Sequence, residues 1–318
     1  MRFIVLPVLL TSLFLLTGCD DAKAPQSLTR VALQGAHSQS FSPDGRDLMV
    51  GSLHHGGSLW TTTPAERLYD WNHKDGTYSS ITSSAFSPDG GFVVTTDTRT
   101  IVLWQRASGE AVWFWNAPGD IKDIALTNNG NLALLGMADY TATLFDIKNG
   151  GIRLRLPHDG IVYSVSISPD GLLAATGSDD LQVRLWSLSD GRLLQQLPQN
   201  NQVRTVEFSA DGRLLFTSAM NDAGRIWDVA SGRLLAEIGK TRGHYSAARF
   251  SRDGRQLLTG NSSGRIELWQ VSDGIRLNSW RAVTEQPLGS RAVLVEDVAF
   301  NGEGYLAAGS NGLLYRLQ

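Results

Sequence analysis

Hydrophobic and polar residues alternate with a period of two along much of the chain after residue 28, where helical periodicity is missing. The alternating runs are short and end at turns rich in Gly, Asp, Asn and Ser, so they predict short β-strands. One kind of turn returns seven times, each time after an apolar residue that ends a run. Its copies are Ser42–Gly45, Ser87–Gly90, Thr127–Gly130, Ser168–Gly171, Ser209–Gly212, Ser251–Gly254 and Asn301–Gly304.

The turns belong to a longer repeat. Their final glycines recur at a nearly constant interval, and an aromatic residue follows each glycine at a similar distance. A repeat of about 40–45 residues, with a turn and an aromatic residue at nearly fixed offsets, is typical of a radially repeated sheet. The aromatic residues are Trp60, Trp104, Phe145, Trp186, Trp227, Trp269 and Tyr315.

The two ends of the chain complete one repeat between them. Most repeats contain four short runs, but the seventh ends at Gln318, directly after its third run. The segment Leu28–Leu33 precedes the first repeat and has the pattern of a fourth strand. Placing it beside Leu313–Leu317 closes the ring and removes exposed sheet edges. The sequence therefore predicts an all-β fold over residues 28–318: a seven-bladed β-propeller of four-stranded antiparallel blades, whose last blade an N-terminal strand completes.

The fourth repeat carries the fullest side-chain motif. His158 precedes its first strand, Thr176 and Ser178 lie on the second, Asp180 is in the following turn and Trp186 is on the third. This set resembles the WD-repeat family of β-propellers, and the resemblance covers roughly residues 28–318. It implies that these residues form a buried hydrogen-bonded network. The other repeats keep less of the motif, so the full network is expected in one or two blades.

The segment before Cys19, residues 1–18, has the features of an export signal: a positive charge at Arg2 and an apolar run too short to span a bilayer comfortably. It ends in Leu-Thr-Gly before Cys19, which resembles a bacterial lipobox, and the resemblance implies that Cys19 is lipidated after cleavage. Cys19 is the only cysteine, which suits an oxidising compartment. An ordinary secretory signal with a chance cysteine is the alternative.

Asp20 and Asp21 follow the cysteine and resemble the signal that keeps enterobacterial-type lipoproteins in the inner membrane. Residues 19–27 are then a lipidated N-terminus and a polar tether. This implies a propeller that faces the periplasm and is held on the inner membrane by lipid. The outer membrane remains open as the destination.

Composition and charge limit the kinds of ligand and partner that are expected. A net charge of −3 gives no electrostatic footprint for nucleic acid. The six histidines are spread over several repeats, with no carboxylate or cysteine at ligand spacing, so no metal is expected. No phosphate-binding loop or calcium loop occurs either, and no cofactor is expected.

A polar ring is the candidate binding surface. The residue five before each turn is predicted to open the innermost strand near the central channel. In the WD-repeat family this region commonly holds peptide partners; a solvated rim without a ligand is the alternative. The insertion 281–294 on the same face is a further candidate. The predicted rim consists of His37, Thr82, Lys122, Tyr163, Arg204, Ser246 and Glu296.

A second resemblance lies in the second repeat. The segment Gly109–Trp113 (Gly-Glu-Ala-Val-Trp) is similar to the docking strand of quinoprotein-like propellers. That family includes cofactor-dependent dehydrogenases and the propeller lipoprotein of the outer-membrane barrel-assembly machinery. Trp71, Trp115 and Trp280 share one offset on the fourth strands and are predicted to pack between blades.

The sequence thus predicts a non-enzymatic scaffold for protein–protein interaction, whose partner is an unidentified protein of the periplasm or inner membrane. Three alternatives stay open: a quinoprotein-like enzyme, a carbohydrate-active propeller enzyme and an envelope-assembly propeller lipoprotein.

Overall fold

The computed structural model describes residues 21–74, 76–283, 292–302 and 304–318. Cys19, Asp20 and most of the insertion 281–294 lie outside these ranges. Within them, 28 strands form seven four-stranded antiparallel sheets, each in sequential order from the channel outwards except the last. The predicted fold is confirmed.

The strands of the first three blades follow the turns that the sequence shows. The first blade has β2 (Ala36–Phe41), β3 (Asp47–Ser52), β4 (Gly56–Thr61) and β5 (Arg67–Trp71). The second has β6 (Ser83–Phe86), β7 (Phe92–Thr96), β8 (Thr100–Gln105) and β9 (Ala111–Asn116). The third has β10 (Ile121–Leu126), the 3₁₀ turn η1 (Asn128–Gly130), β11 (Leu132–Met137), β12 (Thr141–Asp146) and β13 (Ile152–Pro157).

The next three blades repeat the arrangement. The fourth has β14 (Val162–Ile167), β15 (Leu173–Ser178), β16 (Gln182–Ser187) and β17 (Leu193–Pro198). The fifth has β18 (Val203–Phe208), β19 (Leu214–Ala219), β20 (Ala223–Asp228) and β21 (Leu234–Lys240). The sixth has β22 (Tyr245–Phe250), β23 (Gln256–Asn261), β24 (Arg265–Gln270) and β25 (Arg276–Arg281).

The seventh blade joins both ends of the chain. It contains β26 (Val295–Phe300), β27 (Tyr305–Gly309) and β28 (Leu313–Leu317), and β1 (Ser27–Arg30) pairs with β28 as the outermost strand. The closing strand is shorter than the predicted Leu28–Leu33, because the N–H groups of Val31 and Ala32 both turn to the carbonyl of Gly312, at 2.9 and 3.1 Å.

The recurring turn is held by its own side chains. In the first copy, the Ser42 hydroxyl donates to Asp44 at 2.7 Å and accepts the N–H of Asp47 at 2.9 Å, while Gly45 has a φ of +69°. Glycine adopts that backbone angle without the penalty that a Cβ brings. The same serine–aspartate bond recurs in four further copies, at Ser87, Ser168, Ser209 and Ser251.

The hydrophobic core lies between adjacent blades. Trp71 and Trp280 are 1% and 0% exposed, and their indole N–H groups each donate to a carbonyl of the next blade, those of Gly109 and Gln318, both at 2.9 Å. Trp115 stacks on Phe145 of the third blade at 4.0 Å between ring centroids. The predicted packing of these tryptophans between blades is confirmed.

The segment predicted as a tether lies against the propeller from Asp21 onwards. The N–H of Lys23 donates to the carbonyl of Ser279 at 2.8 Å, and the N–H of Gln26 donates to that of Arg316 at 2.8 Å. Asp21 forms ion pairs with Arg265 and Arg276 of the sixth blade. In the part of the chain that the structure describes, no helix is long and apolar enough to cross a membrane.

Candidate functional site

The innermost strands surround a central channel of about 1320 Å³. The inner strand of each blade contributes its first residues to one mouth of the channel and its last residues to the other. The structure places all seven residues of the predicted rim on the wall of this channel. The mouth that they surround is the candidate functional site.

Tyr163 and Arg204 form the most organised part of the rim. The guanidinium carbon of Arg204 lies 3.8 Å from the centroid of the Tyr163 ring, which is a cation–π contact. Arg204 also pairs with Asp179 at 3.0 Å and donates to the side-chain oxygen of Gln202 at 2.9 Å. A planar group held from three sides is fixed in orientation.

His244 lies beside this arginine. Burial and, secondly, the charge of Arg204 lower the pKa of His244 to about 4. At neutral pH His244 is therefore uncharged, and the positive charge at this part of the mouth belongs to Arg204.

The other rim residues have different roles. Ser246 donates to the carbonyl of Val295 at 2.7 Å, and Thr82 donates to that of Thr96 at 3.3 Å, so both hydroxyls form hydrogen bonds with the backbone. His37 and Lys122 are exposed. Burial, followed by the charge of Asp297, raises the pKa of Glu296 to about 8, which keeps this carboxyl protonated at neutral pH. Of the seven predicted rim residues, the structure thus brings Tyr163 and Arg204 into a side-chain pair and does not pair the other five with one another.

Below the rim, hydrogen bonds cross every junction between blades on the channel wall. We call this set the polar belt, and its members are mostly the residues directly after the rim positions. Four junctions are joined by Asp123 to the N–H of Val165 (2.9 Å), Ser164 to the N–H of Val206 (3.1 Å), Thr205 to the carbonyl of Tyr245 (2.6 Å) and Asp297 to the N–H of Phe41 (2.7 Å). The remaining three are joined by Ser38 and Ser84 (3.1 Å), Ser83 and Asp123 (3.3 Å), and Ser246 and Val295 (2.7 Å).

Three carboxyl groups and one arginine meet in the channel. Burial raises the pKa of Asp123 to about 6 and that of Glu207 to about 7, and it also raises the pKa of Asp297. Arg249 pairs with Asp297 at 3.2 Å. Asp123 and Asp297 also accept hydrogen bonds from backbone N–H groups of the next blade. These two carboxyl groups therefore help to hold adjacent blades together.

These channel residues are not among those predicted from the sequence. A signal existed: other inner strands have Ser, Thr or Ala at the positions of Asp123, Glu207, Arg249 and Asp297. A charged residue at such a position stands out only once the strand is known to border the channel.

The network of the fourth blade has the following geometry. The Nδ1 atom of His158 lies 2.8 Å from Asp180, and its Nε2 lies 2.7 Å from the hydroxyl of Thr176. The Trp186 indole donates to the same hydroxyl at 2.8 Å, and Ser178 accepts the N–H of Asp180 at 3.2 Å. Burial lowers the pKa of His158, so a neutral ring with its proton on Nδ1 satisfies both contacts.

The second blade contains the same arrangement. His73 Nε2 lies 2.9 Å from the hydroxyl of Thr95, which accepts the Trp104 indole at 2.8 Å, and Asp97 lies 3.7 Å from the other ring nitrogen. The offset hides this copy in the sequence, because His73 precedes its turn by a longer stretch of chain than His158 does.

Within the described ranges, no group of three or more His, Cys, Asp or Glu residues is placed to hold a metal ion.

The segment Gly109–Trp113 connects the second blade to both neighbours. Gly109, at a φ of +74°, presents its carbonyl to Trp71 of the first blade, and Trp113 contacts Phe145 of the third blade at 5.2 Å between ring centroids. This is the strand for which the sequence showed a resemblance to quinoprotein-like propellers.

The fold and the channel define a seven-bladed β-propeller whose inner strands surround one polar channel. The model of the family described as "Outer membrane protein assembly factor BamB" matches residues 46–282. The chain belongs to this family. A search of the curated proteins found no match.

Proposed function

We propose that the protein is a non-enzymatic scaffold for protein–protein interaction that serves assembly of the cell envelope. The observation that carries this proposal is the Tyr163–Arg204 pair at the channel mouth. Aromatic residues and arginine dominate binding energy at protein interfaces, above all where they are held in place beforehand. Membership of a family described by an outer membrane protein assembly factor supports a protein of the envelope as the partner.

The proposal includes a lipid anchor at Cys19 that holds the propeller on the periplasmic side of the inner membrane, with Asp20 and Asp21 as the sorting signal. The contacts of Asp21 and Lys23 with the sixth blade bear on its geometry. A lipid two residues before Asp21 would hold the propeller close to that blade rather than on a long flexible tether. The networks of the second and fourth blades also support repeats of the WD type in this propeller.

The rim is tested by crosslinking in membranes, followed by affinity purification and mass spectrometry. The double variant Tyr163→Ala/Arg204→Ala should recover at least about tenfold less of a reproducible protein partner, because it removes both members of the stack. The matched control is His37→Ala/Thr82→Ala on the opposite side of the same rim, which should keep the partner. Undiminished capture by the first variant would exclude the Tyr163–Arg204 surface as the binding site.

The carboxyl groups of the channel favour a second candidate function, the binding or conversion of a small polar ligand. Convergent carboxyls with raised pKa values are typical of such sites. Thermal shift measurements with a quinone cofactor and with a panel of oligosaccharides test this candidate. It requires a ligand-dependent rise in melting temperature that Glu207→Gln abolishes.

A further inference from the structure

The outermost strand of the second blade, β9, differs from the other outer strands in its side chains. Its sequence is Ala-Val-Trp-Phe-Trp-Asn, without a charged residue. Phe114 is 69% exposed and Val112 is 48% exposed, whereas the side chains of Trp113 and Trp115 pack against Phe145 of the third blade. The strand is thus anchored on one side and presents an apolar surface on the other.

The pairing register permits a comparison at equal positions. Phe114 lies opposite Val102, and the corresponding outer-strand residues of the first and third to sixth blades are all polar or charged. In the seventh blade the position holds Leu28, on a strand that also carries Arg30. The polar and charged residues are Asp70, Arg155, Gln196, Glu237 and Ser279.

The backbone of β9 has a free hydrogen-bonding edge. The N–H of Ala117 donates to the carbonyl of Arg99 at 2.8 Å, and bonding residues alternate along an antiparallel pair. Trp113 and Trp115 therefore bond inwards to β8, while Val112, Phe114 and Asn116 direct their N–H and C=O groups outwards. Proteins normally protect such an edge with charges, proline or a covering segment.

We propose that β9 is a homodimerisation edge, where two copies of this chain pair antiparallel across a two-fold axis near Phe114. The argument for a second copy is electrostatic. Self-pairing of an outer strand brings its own charges together, and like charges opposite one another are destabilising. On β13, a two-fold axis at the position equivalent to Phe114 would place Arg155 opposite its own copy, whereas β9 has no charge to oppose.

The other uncharged outer strand fits a second copy less well. This is β17, which presents Leu194 and Gln196 and ends in Pro198, a residue without an N–H donor. Pairing through β9 would join two blades into one continuous eight-stranded sheet. The contact is isologous, so it closes at the dimer and does not propagate into fibres.

Sedimentation equilibrium of the full-length protein in detergent, above and below the midpoint of association, tests the proposal. The wild type should show a monomer–dimer equilibrium. Phe114→Lys should raise the dissociation constant by about tenfold or more, because it places two like charges opposite each other. Gln196→Lys, at the same position of β17, should leave it unchanged.

Hydrogen exchange distinguishes pairing through β9 from association elsewhere. In the wild-type dimer the amides of Val112 and Phe114 should exchange about tenfold more slowly than in the monomer or in Phe114→Lys. The proposal is overturned by a wild type that stays monomeric at every soluble concentration. It is equally overturned if Phe114→Lys and Gln196→Lys associate alike. Cooperative thermal unfolding of both variants, followed by circular dichroism below the midpoint of association, establishes that both are folded.

Discussion

Glu207 shows how a single residue acquires its chemistry from the ring around it. It lies on β18, between two apolar residues, and nothing in its own strand makes it unusual. In the propeller, burial in the channel wall raises its pKa to about 7, and the neighbouring Arg249 counteracts the rise only in part. Its carboxyl is therefore close to half protonated at neutral pH, while exposed glutamates are ionised.

This pKa predicts a pH-dependent stability. The folded protein holds the Glu207 proton more tightly than the unfolded chain, whose reference value is 4.5. Above pH 7 the charged, buried carboxyl therefore lowers the free energy of unfolding. This destabilisation disappears as the pH falls towards 4.5, because the carboxyl is then protonated in the folded protein. Glu207→Gln should raise the free energy of unfolding by about 1–3 kcal/mol at pH 8 and change it little at pH 4.5.

Urea denaturation of both proteins at the two pH values measures the difference. The control is Glu237→Gln on β21, which pairs with Arg225 at 3.0 Å near the surface. Its free energy of unfolding, relative to that of the wild type, should not increase with pH. A constant difference between wild type and Glu207→Gln across the pH range would show that the Glu207 carboxyl does not titrate as described.

At the scale of elements, the strand boundaries follow from local sequence, whereas strand partners do not. The Ser–Pro–Asp–Gly turns fix where β2 ends and β3 begins, because serine and aspartate close the turn themselves. The partner of β1 is β28, at the opposite end of the chain. Only the count of strands per repeat indicated that pairing, and the ring geometry decided that it spans Ser27–Arg30.

The closing strand should therefore contribute to the stability of the whole ring. Deleting residues 23–30 uncovers the outer edge of β28 and removes its ladder of hydrogen bonds. We expect the melting temperature, followed by circular dichroism, to fall by about 5–15 °C. A synthetic peptide of residues 22–33, added in trans, should restore part of the loss, and a scrambled peptide should not. An unchanged melting temperature would mean that three strands suffice for the seventh blade.

At the scale of the whole molecule, the proposed anchor and the closure of the ring involve the same segment of the chain. The chain from Asp21 to Gln26 lies along the sixth and seventh blades, directly before the strand that closes the ring. An anchor at Cys19 would therefore transmit its position to a rigid body, and the loop face would be presented in a restricted set of orientations.

The anchor is tested by the substitution Cys19→Ala. This variant should move from the membrane fraction to the soluble fraction or stay as an uncleaved precursor, because the proposed site of lipidation is gone. Cell fractionation and mass determination measure both outcomes. Asp20→Ser/Asp21→Ser should keep the lipid while changing which membrane holds it. Unchanged fractionation of Cys19→Ala, with no change in mass, would contradict lipidation.

The sequence by itself determined the number of blades, the turns, the aromatic residues between blades and the positions at the channel mouth. These features depend on local patterning that repeats, so seven copies of one signal reinforce each other. The tertiary structure decided the properties of individual residues within single repeats. The stack of Tyr163 and Arg204, the raised pKa values of Asp123 and Glu207, and the exposure of Phe114 all arise where neighbouring blades meet or fail to cover a surface. Burial and proximity between repeats are properties of the closed ring, and the pattern within one repeat does not contain them.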